Sequence, residues 1–293
     1  MSAGKHGAPR PRRHTGEVDI TRLGEYLAAR RALVSPEDVG LVRGASRRVV
    51  PGLRREEVAI LASISPEYYR RLERGVGGPP SDAILDSLAR ALGLSEHARL
   101  YMYRLARGHG APASPSASDD THTRRMLDSW SDQIAYALDQ NQDVISATSM
   151  ARAVLGESVA PGANRLIDTL AAAESAGPEH RPIFFAQVAN FAAAMRYYAD
   201  PEDERFRQIL AAVGTNDEFS AIWARHDAHP LTVEPGLFWL DREGWIRHKY
   251  EVFEVPRSPG QVLIVWWFRA GCPSEKILQP LTTNALWRRD ETR

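Results

Sequence analysis

Cysteine is nearly absent: Cys272 is the only one in 293 residues. A lone cysteine excludes an intramolecular disulfide and fits a reducing compartment. Lysine is almost as scarce, since only Lys5, Lys249 and Lys276 stand among the basic residues and the rest are arginines. Long apolar runs are missing too. The longest, residues 262–268, is far too short to span a bilayer. Residues 1–17 carry charge with no apolar stretch behind them, so no secretory leader is expected. The chain has no P-loop, no dinucleotide fingerprint and no G-x-S-x-G elbow. Cys272, followed by Pro273, has no evident histidine partner for nucleophilic chemistry. His226 and His229 stand three apart, but Pro230 ends the segment and no cysteine or glutamate stands at ligand spacing, so no metal is expected. Together these absences predict a soluble cytoplasmic protein that is neither an enzyme nor a membrane protein.

What is present is an uneven charge. The formal net charge is zero. Residues 1–110 nevertheless hold 19 Lys and Arg against 12 Asp and Glu, a balance of +7, while the remainder holds 18 against 25, or −7. The basic half contains residues 54–75, RREEVAILASISPEYYRRLERG, which read as two short helices joined by a tight turn. Val58, Leu61 and Ala62 form the inward stripe of the first. Ser65 is placed to cap the second, with Pro66 at its first position and Gly75 as its left-handed stop. Tyr69 and Leu72 face inward, which leaves Glu67, Tyr68, Arg70, Arg71 and Arg74 outside. An arginine fork matches the O6 and N7 acceptors of guanine, and Glu67 can accept from a cytosine amino group. Arg54 and Arg55, opening the first helix, are positioned for phosphates.

Periodicity and turn residues divide the chain further. Residues 1–18 read as a disordered basic arm, and residues 19–108 as a five-helix DNA-binding domain. That domain begins with a helix over 20–33 and ends with helices over 81–92 and 95–107, with Ile84, Leu85, Leu88 and Leu92 inward in the former and Leu100, Tyr103 and Leu105 packing in the latter. Between them lies a long basic loop, 35–53, whose Arg43, Arg47 and Arg48 can reach phosphates or a neighbouring minor groove. Residues 109–120 are small and proline-bearing, a linker. Residues 121–293 predict an α+β domain: helices over 124–140, 149–155, 162–174, 182–198, 201–213 and 216–226, then an antiparallel meander over 236–240, 245–255 and 262–269, and a closing helix over 274–281.

The segments LGEYLAARRALVSPEDVG, RRVVPGLRREEVAILASISPEYYRRLERG and PSDAILDSLARALGLSEHARLYMYRLA closely resemble the N-terminal domain of xenobiotic-response-element-type (XRE) regulators that carry an MmyB-like ligand-binding domain. The likeness covers roughly residues 22–107. Residues 218–227 and 270–274 resemble segments of the same family's C-terminal domain. The resemblance implies base contacts from Ser65, Pro66, Glu67, Arg70 and Arg71, and backbone contacts from Arg54, Arg55 and Tyr68. It also implies a PAS-like C-terminal fold and a fatty-acid-like or other apolar ligand in place of a cofactor.

Aromatic density in the second domain points the same way. Phe184, Phe185, Phe191, Met195, Tyr197 and Tyr198 on the helices are expected to face Phe238, Trp239, Tyr250, Phe253, Trp266 and Phe268 on the sheet, with Trp223 nearby. His226, Arg247 and His248 are candidate anchors for a ligand carboxylate. The expected function is a ligand-responsive, homodimeric transcription regulator on a palindromic DNA operator. The alternative is a DNA-binding protein whose C-terminal domain serves only dimerisation or a protein partner.

Overall fold

Serine caps and buried leucines build the N-terminal helices. The computed structural model describes residues 20–41, 52–108, 117–130, 133–233, 236–240, 244–256, 258 and 260–267. Its first five α-helices are α1 (Thr21–Leu33), α2 (Arg55–Leu61), α3 (Pro66–Glu73), α4 (Asp82–Ala91) and α5 (Glu96–Ala106). The hydroxyls of Ser65, Ser81 and Ser95 accept from the N–H of Tyr68, Ile84 and Ala98 at 3.1, 3.4 and 3.3 Å. Each satisfies a first-turn donor that the helix leaves unpaired. Leu23, Tyr26, Leu27, Val58, Tyr69, Leu72, Leu85, Leu88, Leu92 and Met102 share one core. One expectation is corrected: Leu100 is 42% exposed, and Met102 fills the interior of α5 instead. The stripe of α2 is as expected, with Val58 and Ala62 buried and Leu61 packed half-buried against the core, and Ala59 is buried beside them.

Close approach of α1 to α3 depends on glycine. A Cβ on Gly24 would lie 2.6 Å from the carbonyl oxygens of both Leu72 and Glu73, and one on Gly75 would lie 2.7 Å from Thr21 Cα. Gly75 also has φ +66, the left-handed stop that ends α3.

Residues 117–267 contain α6 (Ala117–Asp128), strands β1 (Ala135–Leu138) and β2 (Val144–Ala147), helices α7 (Ser149–Leu155), α8 (Arg165–Ser175), α9 (Arg181–Tyr198), α10 (Glu204–Val213) and α11 (Asp217–Ala224), and strands β3 (Gly236–Leu240), β4 (Gly244–Glu254) and β5 (Val262–Trp267). The five strands form one antiparallel sheet in the order β2-β1-β5-β4-β3. The expected helix over 124–140 is therefore wrong beyond Asp128. Two strands precede the helices, and the β3-β4-β5 meander completes a sheet that β1 has already begun. Alternation explains the covered faces. Tyr136, Leu138, Ile264 and Trp266 point into the core made with α7–α11, whereas Ala135, Ala137, Leu263 and Val265 point to the other face, under Leu127 of α6.

The two cores are separate, and a polar seam joins them. Arg22 pairs with Glu202 and Arg30 with Asp227. Arg104 donates to the carbonyl of Tyr197 and lies 4.4 Å from that ring's centroid. The disordered-arm expectation and the closing helix over 274–281 fall outside the described residues, as does most of the linker.

Candidate nucleic-acid interface and ligand cavity

α3 is held rigidly from behind. The carboxylate of Glu73 is 2% exposed and receives Arg31 Nε of α1 at 2.6 Å and Arg55 Nε of α2 at 2.5 Å. Arg31 also donates to the Leu53 carbonyl at 2.9 Å. One buried anion thus ties three helices together, with a second partner taking up part of the Arg31 charge. With its inner face fixed by Tyr69, Leu72 and Glu73, α3 turns Ser65, Pro66, Glu67, Arg70, Arg71 and Arg74 outward. Glu67 and Arg70 form an exposed i,i+3 pair, and the Arg71 guanidinium lies over Gly77. Tyr68 is half-buried against the core. Ser63, at φ +55, makes the sharp turn between α2 and α3.

A cavity of about 270 Å³ lies between α7, α8 and α9 on one side and β3 and β4 on the other. Phe184, Leu237, Phe238 and Trp245 give it an apolar wall, while Arg165, Asp168 and Thr169 of α8 give it a polar one. Burial pushes the Asp168 carboxyl up, against the lowering effect of Arg165. Beside the cavity, His248 stacks on Trp266 with ring centroids 3.6 Å apart and 25° between planes. Burial, and then the charge of Arg165, depresses the His248 imidazole to about 3, so it stays neutral.

α9 runs from this cavity to the domain seam. Phe184 and Gln187 line the cavity at one end. At the other, Arg196 is buried, lies 3.7 Å from the Trp223 ring centroid and donates to the Trp223 carbonyl at 2.8 Å. Burial lowers its guanidinium to about 10. Tyr197 meets His97 and Tyr101 of α5.

Residues 22–102 match the helix-turn-helix domain family. Residues 120–281, more than half of the chain, match the MmyB-like transcription regulator ligand binding domain. The chain belongs to the MmyB-like transcription regulators. No curated protein matches it. A helix-turn-helix domain joined to this ligand-binding domain makes the regulator a DNA-binding one. No helix among the described residues is long and apolar enough to cross a membrane, and no three of their His, Cys, Asp or Glu side chains gather as a metal group would.

The individual site expectations fare unevenly in the regulator. Ser65, Pro66, Glu67, Arg70 and Arg71 share the outer side of α3, with Arg54 exposed at the start of α2. Arg55 is half-exposed but holds Glu73, so it has a structural partner in addition to any phosphate. Arg43, Arg47 and Arg48 lie outside the described residues. The expected ligand residues do not converge. Phe191, Met195, Tyr250 and Trp266 fill the core, Trp223 stacks with Phe219 and Arg196, and Phe253 is exposed. His226 sits near the domain seam, where burial and the charges of Arg196 and Arg30 depress it to about 4. Phe268 and the Trp239 side chain lie outside the described residues. Of the wider aromatic set only Phe184 and Phe238 line the cavity. No sequence signal marks the polar triplet of α8, because the burial of Thr169 beside Leu166, Leu170 and Ala173 appears only in the fold.

Proposed function

We propose that this regulator binds a palindromic operator as a homodimer through α3, and that a small, largely apolar effector in the α8/β3 cavity adjusts DNA affinity. The observation that carries the first part is the outward row of Glu67, Arg70 and Arg71 on a capped helix whose buried side is clamped by Glu73. Such a row, with Ser65 and Pro66 before it, suits base edges in the major groove, with Tyr68, Arg54 and Arg55 near the backbone. One recognition helix reads few base pairs, so a dimer on half-sites about 34 Å apart supplies specificity.

The second part rests on α9. About 14 Å of helix separates Gln187 at the cavity from Arg196 at the seam, at 1.5 Å per residue. A ligand that shifts the first end bears on the contacts of Tyr197 with α5, and coupling of about 1–3 kcal/mol is the expected range. The antiparallel sheet with helices inserted between β2 and β3 supports a PAS-like arrangement. Fluorescence anisotropy with an operator duplex at several salt concentrations, together with light scattering, tests the reading. A monomer that binds all duplexes alike, with the same affinity whether or not effector is added, contradicts it. Dimerisation alone as the C-terminal task predicts that DNA affinity ignores every small molecule.

A further inference from the structure

The α8 wall of the cavity carries unusual chemistry. Thr169 is 2% exposed, yet its hydroxyl has no hydrogen-bond partner among the described residues. The same holds for the buried Oδ2 of Asp168 and the Nε of Arg165. Arg165 Nη1 donates to the Ser158 carbonyl at 3.2 Å and stands 3.8 Å from Asp168 Oδ2, near enough for attraction and too far for a hydrogen bond. Positions 165, 168 and 169 fall on one side of a helix, and all three line the same cavity. Folded proteins rarely leave buried polar atoms unbonded, and three neighbours in one cavity wall define a receptor for a complementary group.

The complement can be read atom by atom. Asp168 accepts, Arg165 donates, and the Thr169 hydroxyl does either. A head group that both donates and accepts satisfies all three. A carboxylate satisfies Arg165 but brings a second negative charge to Asp168. The opposite wall, from Phe184, Phe238 and Trp245, takes a short apolar body. We propose that the cavity selects small amphiphiles with a neutral head that both donates and accepts hydrogen bonds, an alcohol or amide, over carboxylates and ammonium ions of the same chain length. This rests on the effector-responsive reading above and narrows it to a ligand class.

A matched hexyl series tests it on the full chain: 1-hexanol, hexanamide, hexylammonium and hexanoate, each titrated while the thermal midpoint is followed. A ligand bound only by the folded state raises the midpoint as its concentration grows. 1-Hexanol and hexanamide should do so most, while hexylammonium, which brings a like charge to Arg165, and hexanoate, which brings one to Asp168, should do so less. Thr169→Val replaces an unbonded hydroxyl with a methyl of the same shape, so it should raise the ligand-free midpoint and weaken 1-hexanol on the order of fivefold. Asp168→Asn should weaken hexylammonium and strengthen hexanoate. Equal stabilisation by hexanoate and 1-hexanol, or an Asp168→Asn variant that does not improve hexanoate, overturns the ligand class and leaves effector control standing. A Thr169→Val variant with a lower ligand-free midpoint also overturns it, because the hydroxyl would then be bonded within the protein. No shift from any of the four removes both this inference and effector binding in this cavity.

Discussion

Replacing Glu73 with glutamine should loosen the DNA-binding domain alone. The carboxylate is 2% exposed and takes guanidinium donors from two other helices, Arg31 at 2.6 Å and Arg55 at 2.5 Å. Glutamine keeps the shape but offers one acceptor oxygen and no charge. Removing one partner of a buried pair costs about 3–5 kcal/mol when the other charge is left without compensation. Here Arg31 retains the Leu53 carbonyl, and Arg55 is half-exposed and rehydrates. The loss should therefore fall to about 2–3 kcal/mol. All seven tryptophans lie at or beyond residue 130, so their fluorescence reports the C-terminal domain, whereas far-UV circular dichroism reports helices in both. Urea unfolding followed by the two probes should show the dichroism midpoint falling ahead of an unchanged fluorescence midpoint. Arg31→Met should cost more than Arg55→Met, since the Arg31 side chain is 14% exposed and that of Arg55 50%. A Glu73→Gln loss below about 0.5 kcal/mol, the range of ordinary surface changes, would refute the clamp.

Gly24→Ala should also destabilise this domain, although alanine ordinarily gains about 1 kcal/mol over glycine within a helix. The added methyl meets two backbone carbonyls at 2.6 Å, and overpacking of that kind costs about 1–3 kcal/mol, so calorimetry should show a lower midpoint, whereas a higher one would mean that α1 and α3 do not touch there. His248→Phe should flatten the acid side of the stability profile. The imidazole protonates near 6.5 in the unfolded chain but only at about 3 when folded, so the wild type loses stability relative to the variant as pH falls below 6.5, by about 1.4 kcal/mol per pH unit. Parallel wild-type and His248→Phe profiles between pH 6.5 and 4.5 would show that His248 is not the buried neutral group described.

Much of the DNA-binding half is legible in sequence because its signals are local. Ser65 before Pro66, Ser81 and Ser95 before leucine-rich periods, and Gly75 after Arg74 each mark a helix end by one residue's chemistry. The sheet was half legible. β3, β4 and β5 are rich in aromatic and β-branched residues, whereas β1 is four residues, Ala-Tyr-Ala-Leu, whose alanines and leucine favour helix, and it is buried on both faces by α6 and by the main core. The turn that should have exposed it is Asp-Gln-Asn-Gln-Asp at 139–143, where Asp139 accepts from the N–H of Asn141 and Asp143 at 2.8 and 2.9 Å. The cavity was not legible. Aromatic density marks a large core, and which rings leave space between them depends on helix placement across residues far apart in the chain.

The central claim is that α3 reads bases, and selection from a pool of random duplexes tests it most directly. The wild-type regulator should enrich a two-fold symmetric sequence. Arg71→Ala and Arg70→Ala should each relax the preference at one position per half-site, by about 1–3 kcal/mol, without abolishing binding. Enrichment of the same sequence with the same preferences by wild type and both variants would contradict the claim.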